Sequence, residues 1–448
     1  MTSQVYEATK TFSHGVHPPE YKDTTKGIPI RRFPFAPIML VPLSQHIGAP
    51  ARAVVREGQE VSRGQIIARA GGFVSVPMHA PATGVVRKIA SAPNAAGNMV
   101  QTIFIEPYPG SSQQVAYGYV QPVKLENPQE IINAVQNAGM VGMGGAAFPT
   151  HVKLQVPKDK TVDTLVINGV ECEPYLTTDH RVMLEQKETI FKGIQLLLKA
   201  SGAQKAIVGI EANKPDAIAE MKKSVPANTP IEIEGVKVKY PQGAEKMLIK
   251  ALLNREVPSG GLPFDIGVLV SNVATASEIG ELVPLGQGMI ERVITITGPG
   301  VEKPGNYKIP MGTTLRFIMD YVGLKDEATS IILGGPMMGS SISSLDIPIT
   351  KGVSGIVVLT ERETVNLKKE EFPCIKCGHC LEACPIFLNP SKLGLLAKKR
   401  AYKTMADSFH LMDCFECGSC SFVCPSNIPL VHHFRVSKGI LREEKKHK

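Results

Sequence analysis

Short apolar segments separated by turn residues run through the first quarter of the chain. Their length and their flanking glycine, proline and polar residues are typical of β-strands. The predicted strands cover 39–43, 53–55, 66–68, 85–89 and 102–105. Residues 1–30 are polar and contain proline, and we expect an extended arm there.

From about position 127 the periodicity changes. Amphipathic helices are predicted at 131–138, 188–200 and 215–223, and they alternate with short apolar strands at 164–167 and 206–210. This alternation is typical of an α/β domain. Between about 290 and 345 the pattern is again rich in strands, with one helix at 314–322. The chain is therefore predicted to be a multidomain α+β protein.

Composition narrows the class of protein. The 448 residues exceed what one hydrophobic core usually supports, and no long apolar run predicts a membrane-spanning helix. The first residues lack the apolar core of a signal peptide, so we expect a cytoplasmic location with reduced thiols. The net charge of +8 is modest. It favours a solvated basic face, or a contact with acidic lipid or an acidic protein, over nucleic-acid binding.

Eight of the nine cysteines form two copies of one motif near the C-terminus. The copies are Cys374-x-x-Cys377-x-x-Cys380-x-x-x-Cys384-Pro385 and Cys414-x-x-Cys417-x-x-Cys420-x-x-x-Cys424-Pro425. This is the spacing of a ferredoxin with two [4Fe–4S] clusters, in which each cluster takes three cysteines from one copy and the fourth from the other. We predict one cluster on Cys374, Cys377, Cys380 and Cys424, and one on Cys414, Cys417, Cys420 and Cys384.

Zinc and disulfides fit this pattern less well. Structural zinc sites use two cysteine pairs, not triplets with a fourth cysteine a few residues later. Disulfides are not expected in a long chain without an export signal. The stretch between the copies, 386–413, has helical character and predicts a helical variant of the ferredoxin fold.

A second candidate site is the glycine-rich run GMGGAAFPTHVK, from Gly142 to Lys153. Glycines let backbone N–H groups approach a phosphate closely. The run follows a predicted helix and contains Pro149, unlike a dinucleotide-binding loop, and it lacks the Lys-Ser/Thr ending of a P-loop. From the glycines alone, a plain tight turn is an equal alternative.

Polar residues further along strengthen the functional interpretation. The predicted strand at 164–167 is followed by Asn168, Glu171 and Glu173. Ligands of α/β sheets bind at the carboxyl ends of strands. Two further segments are rich in polar residues, and they are Tyr240-Pro-Gln-Gly243-Ala-Glu245 and Ser271-Asn272-Val-Ala-Thr275.

These four segments, in this order, resemble the flavin- and NADH-binding subunit of respiratory complex I. The shared residues are Gly142, Gly144, Gly145, Ala146, Phe148, Pro149, Thr150, Lys153, Asn168, Glu171, Glu173, Pro174, Tyr240, Gly243, Glu245, Asn272, Val273 and Thr275. Met143 and His151 stand where that family has arginine and glycine. The resemblance implies an FMN site and an NAD(H) site on the central domain.

Residues 55–61 and 79–86 resemble the barrel-sandwich fold of biotinyl and lipoyl domains. No lysine lies between Glu57 and Arg87, so a swinging carrier arm is excluded. Together with this segment and the two cysteine motifs, nearly the whole chain resembles the C subunit of Rnf ion-translocating electron-transport complexes.

That resemblance implies a division into five parts. They are an extended arm (1–35), a barrel-sandwich hybrid (36–110), an FMN/NAD(H)-binding α/β domain (120–285), a small β-grasp-like domain of the SLBB type (286–362) and a helical ferredoxin domain with two [4Fe–4S] clusters (363–448). It also implies partners: integral membrane subunits and a subunit that reads ferredoxin. The chain would then be a peripheral oxidoreductase subunit on the cytoplasmic face of the membrane.

The resemblance also implies roles for single residues. The glycine loop and Lys153 would hold the FMN phosphate, while Asn168, Glu171, Asn272 and Thr275 would position the rest of the flavin. Phe148 would stack on the nucleotide, and Glu173 would contact its ribose or nicotinamide. Tyr240, Gly243 and Glu245 complete the cofactor-binding set. No side chain is expected to act as acid or base, since hydride transfer depends on stacking geometry.

Two other functions use the same motifs. One is a soluble flavo-iron–sulfur cobalamin reductase of a bacterial microcompartment, which resembles this family. The other is a cluster-bearing scaffold that has lost its flavin.

Overall fold

The computed structural model describes residues 6–115, 124–364 and 370–446. The first residues of the predicted arm, positions 120–123 of the predicted α/β domain, and positions 365–369 and 447–448 of the predicted ferredoxin domain lie outside the described residues. Within the described ranges, no helix combines the length and the apolar character that a membrane crossing requires.

The N-terminal arm lies on the central domain. Lys10 pairs with Val236 and Val16 pairs with Tyr240 as isolated bridges, and the side chains of Phe12 and Val16 are buried. The arm ends in a short strand, β1 (Ile30–Arg32), which runs parallel to the strand Gly305–Pro310 of the third domain. The polar composition of this stretch gave no sign of that pairing.

The second part is a small all-β domain with its own apolar core. Two sheets form it, in the strand orders β2-β8-β7-β4 and β3-β5-β6. Each of the five predicted strands overlaps an observed one. The strands are β2 (Met39–Pro42), β3 (Arg52–Ala53), β4 (Glu60–Val61), β5 (Ile66–Arg69), β6 (Met78–His79), β7 (Gly84–Pro93) and β8 (Met99–Pro107).

The central domain is a parallel four-stranded sheet, in the order β11-β10-β9-β12, covered by helices. Its strands are β9 (Thr164–Gly169), β10 (Lys205–Glu211), β11 (Ile231–Val236) and β12 (Val268–Asn272). Its helices are α1 (Pro128–Asn137), α2 (Thr150–Leu154), α3 (Thr178–Glu185), α4 (Lys187–Ser201), α5 (Pro215–Ser224), α6 (Glu245–Leu253) and α7 (Val273–Leu282).

Helices α4 and α7 approach each other unusually closely. Gly193 on α4 faces the carbonyl of Ala276, and Gly280 on α7 faces the carbonyl of Thr189, so a Cβ at either glycine would overlap the opposite backbone. The contact fixes α7 against α4. Because α7 begins at the residue after β12, its N-terminus lies at the carboxyl end of that strand.

The third domain is built on a six-stranded sheet to which β1 contributes, in the order β1-β14-β13-β17-β15-β16. Helix α8 packs its buried face on this sheet and takes part in its core. The elements are β13 (Glu291–Thr297), β14 (Gly305–Pro310), α8 (Leu315–Val322), β15 (Ala328–Leu333), β16 (Ser340–Ser341), β17 (Gly355–Thr360) and α9 (Glu361–Thr364).

The C-terminal domain is helical, as predicted from the linker between the cysteine motifs. The two motifs have matching backbones: Gly378 and Gly418 have φ of +86° and +87°, and each immediately precedes a short helix. The helices are α10 (His379–Glu382), α11 (Pro390–Lys398), α12 (Tyr402–Asp407), α13 (Ser419–Phe422) and α14 (Leu430–Lys446). The cysteine motifs are thus two halves of an internal repeat.

Candidate functional site

The carboxyl edge of the central sheet brings two asparagines together. Asn168 on β9 lies opposite Asn272 on β12 in the parallel ladder. The Asn168 side-chain amide donates to the carbonyl of Gly243 at 2.8 Å. The Asn272 side chain accepts from the backbone N–H groups of Ala274 and Thr275 and so caps α7. Three of the four predicted segments therefore meet at this edge.

The glycine loop lies against the same edge. It is closed by a hydrogen bond from the Gly142 N–H to the carbonyl of Phe148, at 2.8 Å. The Met143 N–H donates to the hydroxyl of Thr275 at 2.9 Å. A Cβ at Gly144 would lie 3.5 Å from the Cβ of Asn272. The fourth segment is thereby joined to the other three.

The exposed part of this loop fits a phosphate or another anionic group. Gly144, Gly145 and Ala146 are exposed, and Gly145 has φ of +116° with open space where a Cβ would project. Their backbone N–H groups donate to no acceptor within the described ranges. Clustered free N–H groups at a turn form an anion-binding concavity. The residues present are therefore compatible with an FMN phosphate.

Lys153 and Glu245 form an ion pair beside the loop. The Lys153 ammonium also donates to the carbonyl of Val270 on β12, at 2.9 Å. In this structure the lysine is therefore directed to the sheet end and to the first turn of α6.

Phe148, at the end of the glycine loop, is half-buried.

Glu171 has a structural contact that its motif did not predict. Its carboxylate accepts from the backbone N–H groups of Asp179 and His180, at 3.0 and 3.4 Å, in the first turn of α3. Both oxygens are thus engaged within the fold, and the carboxylate supports the helix N-terminus. Glu171 thus fixes the N-terminus of α3 at this edge of the sheet.

Asp179 is a site residue that the sequence did not reveal. Its carboxylate accepts from the side-chain amide of Asn272 at 2.7 Å. Burial and, after it, the charge of Glu171 raise the pKa of Asp179 to about 7, against the lowering effect of that hydrogen bond. Asp179 lies in a helix that no motif marked, so only the tertiary structure brings it to Asn272.

Glu173 connects the central domain to the third domain. Its carboxylate accepts from the backbone N–H groups of Met337 and Met338, at 3.1 and 2.8 Å. Burial raises the pKa of Glu173 to about 7. A Cβ at Gly335 would overlap this carboxylate, so the loop 334–339 closes tightly on it. Both carboxylate oxygens are thus engaged by the third domain. The predicted contact with a nicotinamide nucleotide stays a prediction.

The second cysteine motif lies against Tyr240 and Cys172 of the α/β domain. The Tyr240 hydroxyl donates to the carbonyl of Cys417 at 2.6 Å, and Tyr240 is 1% exposed. Cys172, Met337 and Cys417 pack with Tyr240 in one small apolar cluster. The ferredoxin domain is thereby fixed to the α/β domain through the loop that contains Cys417, a predicted cluster-binding cysteine.

The cysteines fall into two neighbouring groups. Burial raises the pKa of the Cys380 thiol, and Cys377, Cys424 and Cys374 raise it further. Burial likewise raises the pKa of Cys420, followed by Cys417, Cys414 and Cys384, with a last contribution from Cys380. Apart from Cys380 beside Cys420, these neighbours are compatible with the crossed pairing. All nine cysteines are free thiols, a donor set that suits iron–sulfur clusters.

No group of three or more histidine, cysteine, aspartate or glutamate side chains forms a single-ion site within the described residues. The crossed pairing itself stays a prediction.

Four domain families match the chain in the predicted order. They are the RnfC barrel sandwich hybrid domain (residues 10–108), the Nuo51 FMN-binding domain (135–281), the SLBB domain (293–340) and the 4Fe-4S dicluster domain (372–428). This order confirms the predicted fold class and both types of cofactor.

The solved NAD+-reducing [NiFe]-hydrogenase in its H2-reduced state shares the fold over 71% of this chain and 65% of its own, with a TM-score of 0.51 and 21% sequence identity.

Three C subunits of ion-translocating complexes are similar over nearly the full length of the chain. That of the proton-translocating ferredoxin:NAD(+) oxidoreductase complex of Clostridium ljungdahlii is 45% identical, over 90% of this chain and 88% of its own. That of the Na(+)-translocating ferredoxin:NAD(+) oxidoreductase complex of Acetobacterium woodii is 40% identical, over 96% of both chains. That of the ion-translocating oxidoreductase complex of Rhodobacter capsulatus is 39% identical, over 97% of this chain and 84% of its own. The chain therefore belongs to the family of C subunits of ion-translocating ferredoxin:NAD(+) oxidoreductase complexes.

Proposed function

We propose that this chain transfers electrons between NAD(H) and ferredoxin as the C subunit of an ion-translocating membrane complex. It would bind FMN on the α/β domain and two [4Fe–4S] clusters on the helical domain. The names of the similar proteins support this function over a soluble cobalamin reductase, since all three describe parts of ion-translocating complexes.

One observation carries the proposal: the hydrogen bond from Tyr240 to the carbonyl of Cys417. Tyr240 belongs to the predicted flavin-binding set, and Cys417 belongs to the predicted second cluster. Electrons pass between protein-bound centres only over short distances. A direct contact between the two domains at a ligand-bearing loop supports the second cluster as the one nearer to the flavin.

FMN, when bound, exchanges the two electrons of a hydride for the single electrons that iron–sulfur clusters carry. The protein's contribution is to bind and orient. The backbone N–H groups of Gly144 and Gly145 would donate to the FMN phosphate beside the turn closed by Gly142. Asn168 and Asn272 would present their polar groups at the sheet edge.

The other predicted residues would act around these groups. Thr275 holds the glycine loop through Met143, and Gly243 accepts from Asn168. Lys153, which Glu245 holds beside the loop, would contribute its positive charge to binding of the phosphate. Phe148 would stack on the nucleotide. Glu171 and Glu173 would act indirectly, the first by positioning α3 and the second by holding the third domain in place.

We assign the clusters as the motif spacing predicts. Cys374, Cys377, Cys380 and Cys424 would hold the first cluster, and Cys414, Cys417, Cys420 and Cys384 would hold the second.

The protein would bind peripherally to the cytoplasmic face of the membrane, against integral membrane subunits and a ferredoxin-reading subunit. The basic C-terminal helix offers charge for such a contact, since its last turn contains Lys445 and Lys446.

The test is anaerobic purification followed by reconstitution with FMN, iron and sulfide. We expect flavin absorbance on top of the broad cluster absorbance, and NADH-dependent reduction of an added ferredoxin when partner subunits are present. A protein that holds both clusters but retains no FMN would be a cluster scaffold. A protein that reduces cobalamin and not ferredoxin would support the microcompartment alternative.

A further inference from the structure

Two loops of the barrel-sandwich domain contact the glycine-loop region of the α/β domain. In the loop 43–51, the Ile47 N–H donates to the carbonyl of Ala147 at 3.3 Å. In the loop 70–77, the carbonyl of Phe73 lies 3.0 Å from Nε2 of His151, which follows the glycine loop on α2. The N-terminal domain therefore contributes a wall beside the predicted nucleotide site.

His151 is the anchor of the second loop. Its side chain is 1% exposed, and its Nδ1 has no hydrogen-bond partner among the described residues. A carbonyl oxygen can only accept, so Nε2–H of His151 donates to the Phe73 carbonyl. Burial lowers the pKa of His151 and so favours the neutral ring. Histidine stands here in place of the glycine found in the complex I family, and the contact with Phe73 gives that difference a structural role.

The backbone around Phe73 is held on both sides. The Gly71 N–H donates to the Ser75 hydroxyl at 2.9 Å, and the Ala49 N–H donates to the Val74 carbonyl at 3.0 Å. A Cβ at Gly48 would overlap that same carbonyl, so the two loops pack at backbone distance. On this fixed backbone, Phe73 is 64% exposed.

We propose that Phe73 is a positioning residue for the dinucleotide, with its ring stacking on the adenine of NAD(H). The inference rests on the proposed function. A flat aromatic face on a rigid backbone is suited to stacking on a base, and the purine is the larger flat group of the dinucleotide. Asn168 and Asn272 form the inner end of the site at the sheet edge, so the exposed ring would meet the outer, ADP half.

The test uses the full-length, FMN-loaded protein under anaerobic conditions, titrated calorimetrically with ADP-ribose and, separately, with reduced nicotinamide mononucleotide. Phe73→Ala should weaken ADP-ribose binding about 10-fold or more, as loss of one aromatic–base stack does. Binding of the mononucleotide, which lacks adenine, and the FMN content should stay unchanged. Phe73→Tyr should retain the wild-type affinity for ADP-ribose.

Met99→Ala is the matched control, because Met99 is 62% exposed on the same domain and lies at the far β7–β8 hairpin. His151→Ala should weaken ADP-ribose binding in the wild-type background but not in the Phe73→Ala background, since both changes act through one ring. His151→Gln, which keeps a donor for the Phe73 carbonyl, should restore part of the affinity.

An unchanged ADP-ribose affinity in Phe73→Ala would overturn the inference and leave the proposed function intact. An equal loss for both ligands would also overturn it, because that result indicates a collapsed site instead of a lost stack. A wild-type protein that binds FMN but neither ligand would contradict the proposed function itself.

Discussion

The Tyr240 hydroxyl lies 2.6 Å from the carbonyl oxygen of Cys417 and donates a hydrogen bond to it across the boundary between two domains. Tyr240 is almost fully buried, so the bond is shielded from water. A buried acceptor that loses its donor costs about 1 to 3 kcal/mol. The contact therefore both stabilises the domain interface and fixes the backbone of a cluster-binding loop.

Tyr240→Phe should keep the ring and its packing while removing this bond. We expect FMN content and iron content to stay at wild-type levels, and the EPR signal of the second cluster to shift, because hydrogen bonding around a cluster tunes its electronic environment. Tyr321→Phe, at a 44% exposed position of the third domain, is the control. Identical cluster spectra for Tyr240→Phe and wild type would argue against an effect of this contact on the second cluster.

Cys384→Ser tests the crossed pairing of the cysteines. Although Cys384 belongs to the first motif in sequence, its loss should damage the cluster of the second motif, with half of the iron lost. Cys424→Ser should damage the first cluster instead. EPR of the two variants, compared with iron analysis, distinguishes the clusters. If each substitution destroys the cluster of its own motif, the crossed pairing is wrong.

Gly145→Ala tests the glycine loop as the phosphate site. Gly145 has φ of +116°, so a side chain there is strained by about 1 to 2 kcal/mol, and its Cβ would project into the open space of the loop. We expect weaker FMN binding, measured by the fluorescence of released flavin. Gly97→Ala is the matched control, since Gly97 also has positive φ and open surroundings but lies in the β7–β8 turn. Equal FMN retention in both variants would rule out this loop as the phosphate site.

Glu278→Gln should change the pH dependence of stability. Burial raises the pKa of Glu278 from its ordinary value of 4.5 to about 7. Between these values the folded protein holds a proton that the unfolded chain has lost, so the free energy of unfolding falls as pH rises. A pKa shift of this size lowers the free energy of unfolding by an amount on the order of 3 kcal/mol across that pH range.

The stability of Glu278→Gln is measured by anaerobic urea unfolding from pH 5 to 8. The variant should lose this part of the decrease in unfolding free energy with pH, and it should be more stable than wild type near pH 8. The neighbouring Glu281→Gln, which retains Glu278 and the burial that is the largest cause of its raised pKa, should keep most of the slope. A wild-type slope in Glu278→Gln would show that the carboxyl of Glu278 is not responsible.

The features predicted from the sequence are those set by local rules. Strand and helix positions follow from apolar periodicity, and the helical ferredoxin domain follows from the spacing of the cysteines and their linker. The glycine loop could be placed at a site because it resembles a known family at eight positions of one short run. Its contacts with Asn272 and Thr275 then agree with that placement.

The features that were missed depend on contacts between distant parts of the chain. Asp179 reaches Asn272 only because α3 packs at the sheet edge. Glu173 lies two positions after Glu171 in sequence, yet its partners, Met337 and Met338, lie in another domain. The strand β1 pairs with a strand more than 270 positions away, which no local pattern encodes.

The most direct test of the account is a stepwise anaerobic titration of the FMN-loaded protein with NADH, followed by flavin absorbance and cluster EPR. We predict that the flavin bleaches and that the EPR signals of reduced clusters appear with it or after it. In FMN-free protein the clusters should stay oxidised. Cluster reduction by NADH without FMN would contradict electron transfer through this chain. So would flavin that bleaches while neither excess NADH nor reduced ferredoxin reduces either cluster.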